Sequence, residues 1–150
     1  MRKTSKLIAL ALASALTCST LAAKEIKVGA VMPMSGPIAA YGQVTHLGIK
    51  LANKLQPTLK NGDTIKLVLV DNKGDKVETA TSTMKLISSD KVVAILGTLT
   101  STNTAQVIAI ADKKKIPVVA AVATNDKLTA RRTFANRVCF TDSFQGEVVA

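Results

Sequence analysis

The stretch VVAILGTLTSTNTAQVIAIADKKKIPVVAAV, residues 92–122, decides how this chain folds. It begins with a short apolar run, residues 92–96, that is typical of a buried strand. A polar loop follows, and residues 102–114 are rich in alanine, valine and isoleucine, which favours a helix. Pro117 then opens a second apolar run that extends to Val122. A strand, a crossover helix and another strand predict two parallel strands buried between helices.

The same alternation of apolar runs and helical segments continues on both sides of this stretch. Three more strands are predicted, over Ile26–Met32, Ile65–Val70 and Arg137–Phe140. Helices are predicted over 42–55, over 75–89 and from about Ser143 onwards. The expected apolar faces, at three- and four-residue spacing, are Val44, Leu47, Leu51 and Leu55 in the first helix and Val77, Ala80, Met84 and Ile87 in the second. The predicted fold class is α/β, a doubly wound parallel sheet.

Composition restricts the functions that are open to the chain. Its 150 residues are 47% apolar and 3% aromatic, and they carry a formal net charge of +10, which predicts one modest domain. The cluster Lys113–Lys115 lies at a predicted helix C-terminus, where cations complement the helix dipole. Because nucleic-acid interfaces usually combine a basic patch with aromatic side chains, we expect no nucleic-acid partner. Cys18 and Cys139 cannot make a disulfide framework, and Cys139 is expected to be a buried small hydrophobe.

Residues 1–22 have the pattern of a cleavable signal peptide. Three basic residues precede the apolar run Leu7–Leu16, which at about ten residues is too short to span a bilayer. Small residues follow, and we expect cleavage after Ala22, with cleavage after Ala23 as a close second choice. Lipidation at Cys18 and an uncleaved apolar anchor are the alternatives. The sequence therefore predicts an exported protein.

The loops at the carboxyl ends of the strands are where a ligand is expected, since open parallel sheets bind ligands there. The third of these loops, Gly97–Thr104, contains four threonines, one serine and one asparagine, and it leads into a helix. Hydroxyls and free backbone N–H groups at a helix N-terminus can bind a carboxylate or a phosphate. The alternative is an ordinary cap, in which Ser101 or Thr102 satisfies the helix's own amides.

The residue inventory argues against an enzyme. The sequence contains no G-x-G-x-x-G, Walker A, C-x-x-C or H-E-x-x-H motif. His46, the only histidine, is predicted to be a surface or packing residue, so neither a Ser–His triad nor a zinc site can be assembled. Asp71 ends a strand, as the phospho-acceptor of a receiver domain does, but the first strand lacks the acidic pair that would hold magnesium. We expect no catalysis, no metal and no cofactor.

Taken in order, several motifs resemble the periplasmic branched-chain amino-acid-binding proteins of ABC transporters, the leucine/isoleucine/valine-binding family with the type I periplasmic binding fold. The motifs are IKVG at 26–29, MSGPIAAYG at 34–42, VDN at 70–72, LGTLTS at 96–101, ATNDKLT at 123–129 and DSFQG at 142–146. The resemblance implies a periplasmic protein that captures leucine, isoleucine or valine and delivers it to ABC permease subunits in the inner membrane.

The resemblance also implies a set of ligand-binding residues: Tyr41, Leu99, Thr100, Ser101, Val122, Ala123 and Thr124. Ser101 and Thr124 would contact the ligand through hydroxyl and main-chain groups. Val122 would offer its carbonyl to the ammonium group. Leu99 and Tyr41 would border the aliphatic side chain.

Members of this family are more than twice as long as this chain and form a two-lobed clamp. By resemblance, residues 23–141 are an incomplete N-terminal lobe and residues 142–150 begin the crossover to a second lobe. We therefore expect a fragment or truncated product that binds weakly or not at all. Some members link the positions of Gly74 and Thr100 by a disulfide, so here the loop must be held otherwise. An exported amide-binding or ligand-sensing relative of the same fold is the alternative.

Overall fold

The computed structural model describes residues 23–150; the predicted signal peptide lies outside the described residues. The strands are β1 Glu25–Met32, β2 Thr64–Asp71, β3 Ala94–Gly97, β4 Val118–Ala120 and β5 Ala135–Arg137. The helices are α1 Ala39–Leu55, α2 Lys76–Ser88, α3 Ser101–Lys113 and α4 Asp142–Val149, with a 3₁₀ turn at Asp126–Leu128. All strand pairings in the sheet are parallel, which confirms the predicted α/β class.

The strand order is β2-β1-β3-β4-β5. Strand β1 pairs with β2 along its whole length, from Glu25 opposite Thr64 to Met32 opposite Asp71. Its other edge pairs with β3, although β2 lies between them in the sequence. The winding of the chain therefore reverses between β1 and β3, and such a reversal opens a crevice beyond the carboxyl ends of the two strands.

The hydrophobic core lies between one face of the sheet and the helices α2 and α3. It is built from aliphatic residues that are fully or almost fully buried, including Val31, Leu86, Ile95, Val107 and Ile108. Gly29 of β1 lets Leu86 of α2 lie against the sheet, because a Cβ at Gly29 would meet the leucine side chain at 2.8 Å. Burial of these side chains supplies most of the stabilising free energy of the fold.

The opposite face of the sheet packs against α1, and here the expected apolar face is wrong. Val44, Leu47, Leu51 and Leu55 are between 57% and 77% exposed. The reason lies at Gly42, where a Cβ would come within 2.0 Å of the Pro33 carbonyl oxygen. This close approach fixes the rotation of α1, so the side of the helix that carries Gly42 faces inward and the leucines face outward.

The expected apolar face of α2 is only half right: Ala80 and Ile87 are half-buried, and Ile87 packs against the core. Val77 is 73% exposed and Met84 is 52% exposed, whereas Leu86 and several hydroxyl side chains are buried: Thr79, Ser82 and Thr83. Threonine is tolerated inside because its hydroxyl can bond to the carbonyl one turn earlier, and the Thr83 Oγ1 donates to the Thr79 carbonyl at 2.7 Å. Small hydroxyl side chains therefore fill buried positions of α2 that the hydrophobic pattern did not include.

The last strand lies earlier than predicted. It runs over Ala135–Arg137 and not over Arg137–Phe140, because Val118–Ala120 pairs with residues 135–137 in register. Cys139 is consequently outside the sheet and half-buried, and its Sγ donates to the Ala123 carbonyl at 3.4 Å. Within residues 23–150, no helix has the length and apolar character required to cross a membrane.

Candidate functional site

The loops that follow β1, β2, β3 and β4 all lie at the carboxyl edge of the sheet. The loop after β3 stands at the reversal point and is shaped by Gly97. The φ angle of Gly97 is +128°, and a Cβ there would lie 2.4 Å from the Val31 carbonyl oxygen. Only glycine combines this backbone conformation with so close an approach. Thr98 is buried beneath the loop, where its amide donates to the Thr104 Oγ1 at 3.2 Å.

Thr100 caps α3, so a cap is present but is not formed by Ser101 or Thr102, the two residues named in the cap alternative. The Thr100 Oγ1 accepts from the Asn103 amide at 3.3 Å, and the Thr100 carbonyl accepts from the Thr104 amide at 2.9 Å. Among the described residues, no acceptor satisfies the amides of Ser101 and Thr102. The first turn of α3 therefore presents two free N–H groups at the positive end of the helix dipole.

Ser101 connects the loop after β3 to the loop after β4. Its Oγ accepts a hydrogen bond from the Asn125 amide at 3.3 Å. A serine hydroxyl that accepts one bond still has its own proton to donate. The Ser101 hydroxyl is thus positioned to donate to an anion that sits over the two free amides of α3.

Asn103 holds the loop after β2 against the start of α3. Its Nδ2 donates to the Gly74 carbonyl at 2.9 Å. This contact ties the loop after β2 to the loop after β3 and supplies the tether that the sequence analysis expects in place of a disulfide. Asn72 stabilises the loop after β2, because its Nδ2 donates to the Thr79 Oγ1 at 2.8 Å.

Asp71 organises the loop after β1. Its carboxylate accepts from the amides of Met34 and Lys73, both at 2.8 Å, and from the hydroxyl and amide of Ser35. Burial acts to raise the pKa of Asp71, but the Ser35 hydroxyl and these backbone amides together outweigh burial and lower it. Asp71 is therefore a fixed anion that orders the loop, and this role accounts for its position better than phosphate chemistry.

The residues that were predicted to bind the ligand have very different surroundings. Tyr41 is 72% exposed and Val122 is 43% exposed, whereas Leu99 and Ala123 are buried. Thr100 is exposed, and Ser101 and Thr124 are half-buried. The structure brings Ser101 together with the loop that carries Val122–Thr124. No hydrogen bond joins the Tyr41 side chain to either loop within residues 23–150.

A cavity of about 330 Å³ opens beside the first turns of α3. Its lining residues are Ser101, Thr102, Ala105, Ile108, Asn125, Lys127, Leu128 and Arg132. Of the predicted ligand-binding residues only Ser101 lines it. The part of the chain that the structure describes contains no group of three or more histidine, cysteine, aspartate or glutamate side chains that could hold a metal ion.

Two residues stabilise the loop after β4, and neither was predicted from the sequence to do so. Arg137 donates to several carbonyls of this loop, and Asp126 accepts from both the hydroxyl and the amide of Ser143 in α4. The Ser143 hydroxyl is the main cause that lowers the pKa of Asp126. Asp126 in the loop after β4 was the available signal, whereas Arg137 was predicted to begin the last strand and in the structure ends it.

Residues 25–148 match a protein family described as periplasmic binding protein. A curated relative, the Leu/Ile/Val-binding protein BraC3 of Rhizobium johnstonii, is 30% identical over 98% of this chain and 41% of its own length. The chain thus spans less than half the length of this relative.

Two solved structures resemble the chain in fold as well as in sequence. The branched-chain amino-acid transporter substrate-binding protein LivJ of Streptococcus pneumoniae, in complex with isoleucine, has a TM-score of 0.78 and 36% identity over 84% of this chain and 37% of its own. A solute-binding protein of an ABC transporter from Rhodopseudomonas palustris, in complex with 3,4-dihydroxybenzoic acid, has a TM-score of 0.74 and 28% identity over 78% and 32%. The chain belongs to the periplasmic binding protein family and has the architecture of a type I lobe.

Proposed function

We propose that this chain belongs to the solute-binding component of an ABC importer that captures leucine, isoleucine or valine. In this proposal the protein is exported to the periplasm by a cleaved signal peptide and delivers its ligand to permease subunits in the inner membrane. The single observation that carries the proposal is the anion site at the start of α3, where Ser101 Oγ and two free amides lie together.

The ligand's α-carboxylate is the group that this site suits. The amides of Ser101 and Thr102 and the Ser101 hydroxyl donate to it, and the positive end of α3 favours its charge. Thr124 adds a hydroxyl, and Val122 offers its carbonyl to the ammonium group. Leu99 and Tyr41 border the aliphatic side chain, and Thr100 and Ala123 complete the predicted ligand-binding set. All these contacts are reversible, as import requires, because none involves a covalent or metal bond.

The ligands of the two structural relatives support the interpretation that the site binds a carboxylate. Isoleucine and 3,4-dihydroxybenzoic acid share a carboxylate and differ in everything else. A site that recognises a carboxylate through amides and hydroxyls is compatible with both ligands. The isoleucine complex has the higher sequence identity, 36% against 28%, and we therefore favour an aliphatic amino acid.

The same considerations favour a binding protein over an enzyme. The family and fold are those of solute-binding proteins. The seven predicted ligand-binding residues carry hydroxyl, phenol or aliphatic side chains, and none of them is a histidine or a cysteine. An amide-binding or ligand-sensing relative is the second candidate, and it would require polar groups at Leu99 and Tyr41.

A titration followed by ¹H–¹⁵N NMR tests the proposal, because this method records binding even at millimolar Kd. The probes are L-leucine, L-isoleucine, L-valine, 4-hydroxybenzoate and L-leucinamide, which lacks the carboxylate. We expect the branched-chain amino acids to shift the amide signals of Ser101 and Thr102 in a saturable manner, and leucinamide to leave them in place. Saturable shifts with 4-hydroxybenzoate alone would favour an aromatic-acid binder. Saturable shifts with leucinamide equal to those with leucine would refute the proposal, because the site would then not recognise the carboxylate.

A further inference from the structure

Arg137 lies beside the proposed ligand site and is not one of the predicted ligand-binding residues. It is the last residue of β5, and its half-buried guanidinium lies under the loop after β4. We propose that Arg137 is the positioning residue of the ligand site: it holds the loop that carries Thr124 and polarises a chain of hydrogen bonds that ends at the Ser101 hydroxyl. This inference rests on the proposed function.

The guanidinium donates hydrogen bonds to four acceptors in the loop after β4. Its Nη1 donates to the carbonyls of Ala123, at 3.3 Å, and Thr124, at 2.9 Å. Its Nη2 donates to the Asp126 carbonyl at 3.1 Å and to the Thr129 Oγ1 at 3.0 Å. A planar fork with five N–H donors can hold several acceptors at fixed angles, whereas a lysine ammonium cannot reproduce that geometry.

The charge of Arg137 is directed at the loop itself. Its four acceptors are three peptide carbonyls and one hydroxyl, and no carboxylate lies within ion-pair distance of it among the described residues. The positive charge is therefore not neutralised by an acidic side chain. A cation that donates to a carbonyl oxygen polarises the peptide and makes the N–H on the far side of that peptide a stronger donor.

The polarised peptides lead to the ligand site. The carbonyl of Thr124 belongs to the same peptide as the N–H of Asn125, and that N–H donates to the Ser101 Oγ. A hydroxyl that accepts a strengthened bond becomes a better donor through its own proton, which faces the proposed carboxylate. The Thr124 carbonyl also accepts from the Asp142 amide at 3.0 Å, so the start of α4 is joined to the same peptide.

The test compares Arg137→Gln and Arg137→Lys with Arg131→Gln. The control removes the same charge from an exposed arginine for which the structure shows no hydrogen bond within residues 23–150. Without ligand, we expect Arg137→Gln to speed amide exchange at Lys127 and Leu128 about tenfold and to move the Asn125 amide proton upfield. Arg131→Gln leaves both unchanged. Arg137→Lys keeps the charge but not the fork, so we expect exchange close to that of Arg137→Gln and a partly restored Asn125 shift.

The second readout is affinity, from NMR titration with L-leucine. We expect Arg137→Gln to raise the Kd about fivefold or more and the control to leave it unchanged. Wild-type exchange rates and an unmoved Asn125 signal in Arg137→Gln would overturn the inference, as would a lysine variant indistinguishable from wild type in exchange. If leucinamide shifts the wild-type signals as leucine does, the proposed function fails, and the exchange rates still decide whether Arg137 holds the loop. If Arg137→Gln does not fold, Arg137→Lys alone carries the comparison.

Discussion

Ser101→Ala is the substitution that probes the ligand site with the least disturbance to the fold. Thr100, and not Ser101, caps α3, so the helix keeps its cap in the variant. The substitution removes the acceptor of the Asn125 amide, which lies 3.3 Å from the Ser101 Oγ at an exposed position. A bond of that kind contributes about 0.5 kcal/mol, and we expect the free energy of unfolding to fall by about that amount.

The loss of ligand affinity should be larger than the loss of stability. A hydrogen bond to a charged group contributes about 1.5–3 kcal/mol, and solvent at the half-exposed Ser101 reduces this to about 1 kcal/mol. That free energy corresponds to about a fivefold rise in the Kd for L-leucine. The amides of Ser101 and Thr102 remain, so binding should weaken and not disappear.

The assay is an NMR titration with L-leucine, paired with urea denaturation of the free protein. Thr81→Ala is the matched control, because it deletes a hydroxyl from an exposed position of α2 that is remote from the site. We expect this control to leave the Kd unchanged. An unchanged Kd in Ser101→Ala, with the wild type binding, would show that the hydroxyl does not contact the carboxylate.

Three further predictions test the loops and the core that support the site. Gly97→Ala places a Cβ 2.4 Å from the Val31 carbonyl oxygen at a φ of +128°. We expect this substitution to lower the free energy of unfolding by about 2–3 kcal/mol in urea denaturation, and an alanine variant as stable as wild type would contradict the strained turn. The folded-state pKa of Asp71 is lowered, because the hydrogen bonds to its carboxylate outweigh burial. The contribution of Asp71 to stability is therefore complete above the unfolded pKa of about 3.9, and it is lost as the pH falls through the lower folded value. Asp71→Asn should therefore lower stability at pH 6 and reduce the loss of stability below pH 4, and equal acid sensitivity in both proteins would count against this. Leu86→Ala empties a fully buried position between α2 and the sheet and should cost about 2–5 kcal/mol, whereas Met84→Ala on the exposed side should change stability by less than about 0.5 kcal/mol.

The strands could be predicted because their apolar runs are short and bounded by proline, glycine and polar loops. The structure confirms the parallel α/β sheet, with ends that differ by one to three residues for most strands. The packed face of α1, and half of the packed face of α2, could not be predicted from hydrophobicity. In α1 the close approach of Gly42 to Pro33 decides the rotation, and that contact joins a helix to the loop before it. In α2 buried threonines satisfy their own hydroxyls, which a hydrophobic pattern does not register.

The proposed anion site has a signal in the sequence that is local. Five hydroxyl residues at a helix start indicate an anion site, and the structure places free amides and the Ser101 hydroxyl there. The hydrogen bonds of Arg137 to the loop after β4 were not predictable, because they depend on which loop folds over the end of β5. The identity of the cap also depends on geometry, since three adjacent hydroxyls compete for one position and only Thr100 has the extended backbone that a cap requires.

A crystal structure of the protein soaked with L-isoleucine tests the central claim most directly. We expect the carboxylate to lie within hydrogen-bond distance of the Ser101 Oγ and of the amides of Ser101 and Thr102. Isoleucine density with its carboxylate against Lys127 and Arg132 in the neighbouring cavity, and with the start of α3 unoccupied, would contradict the account.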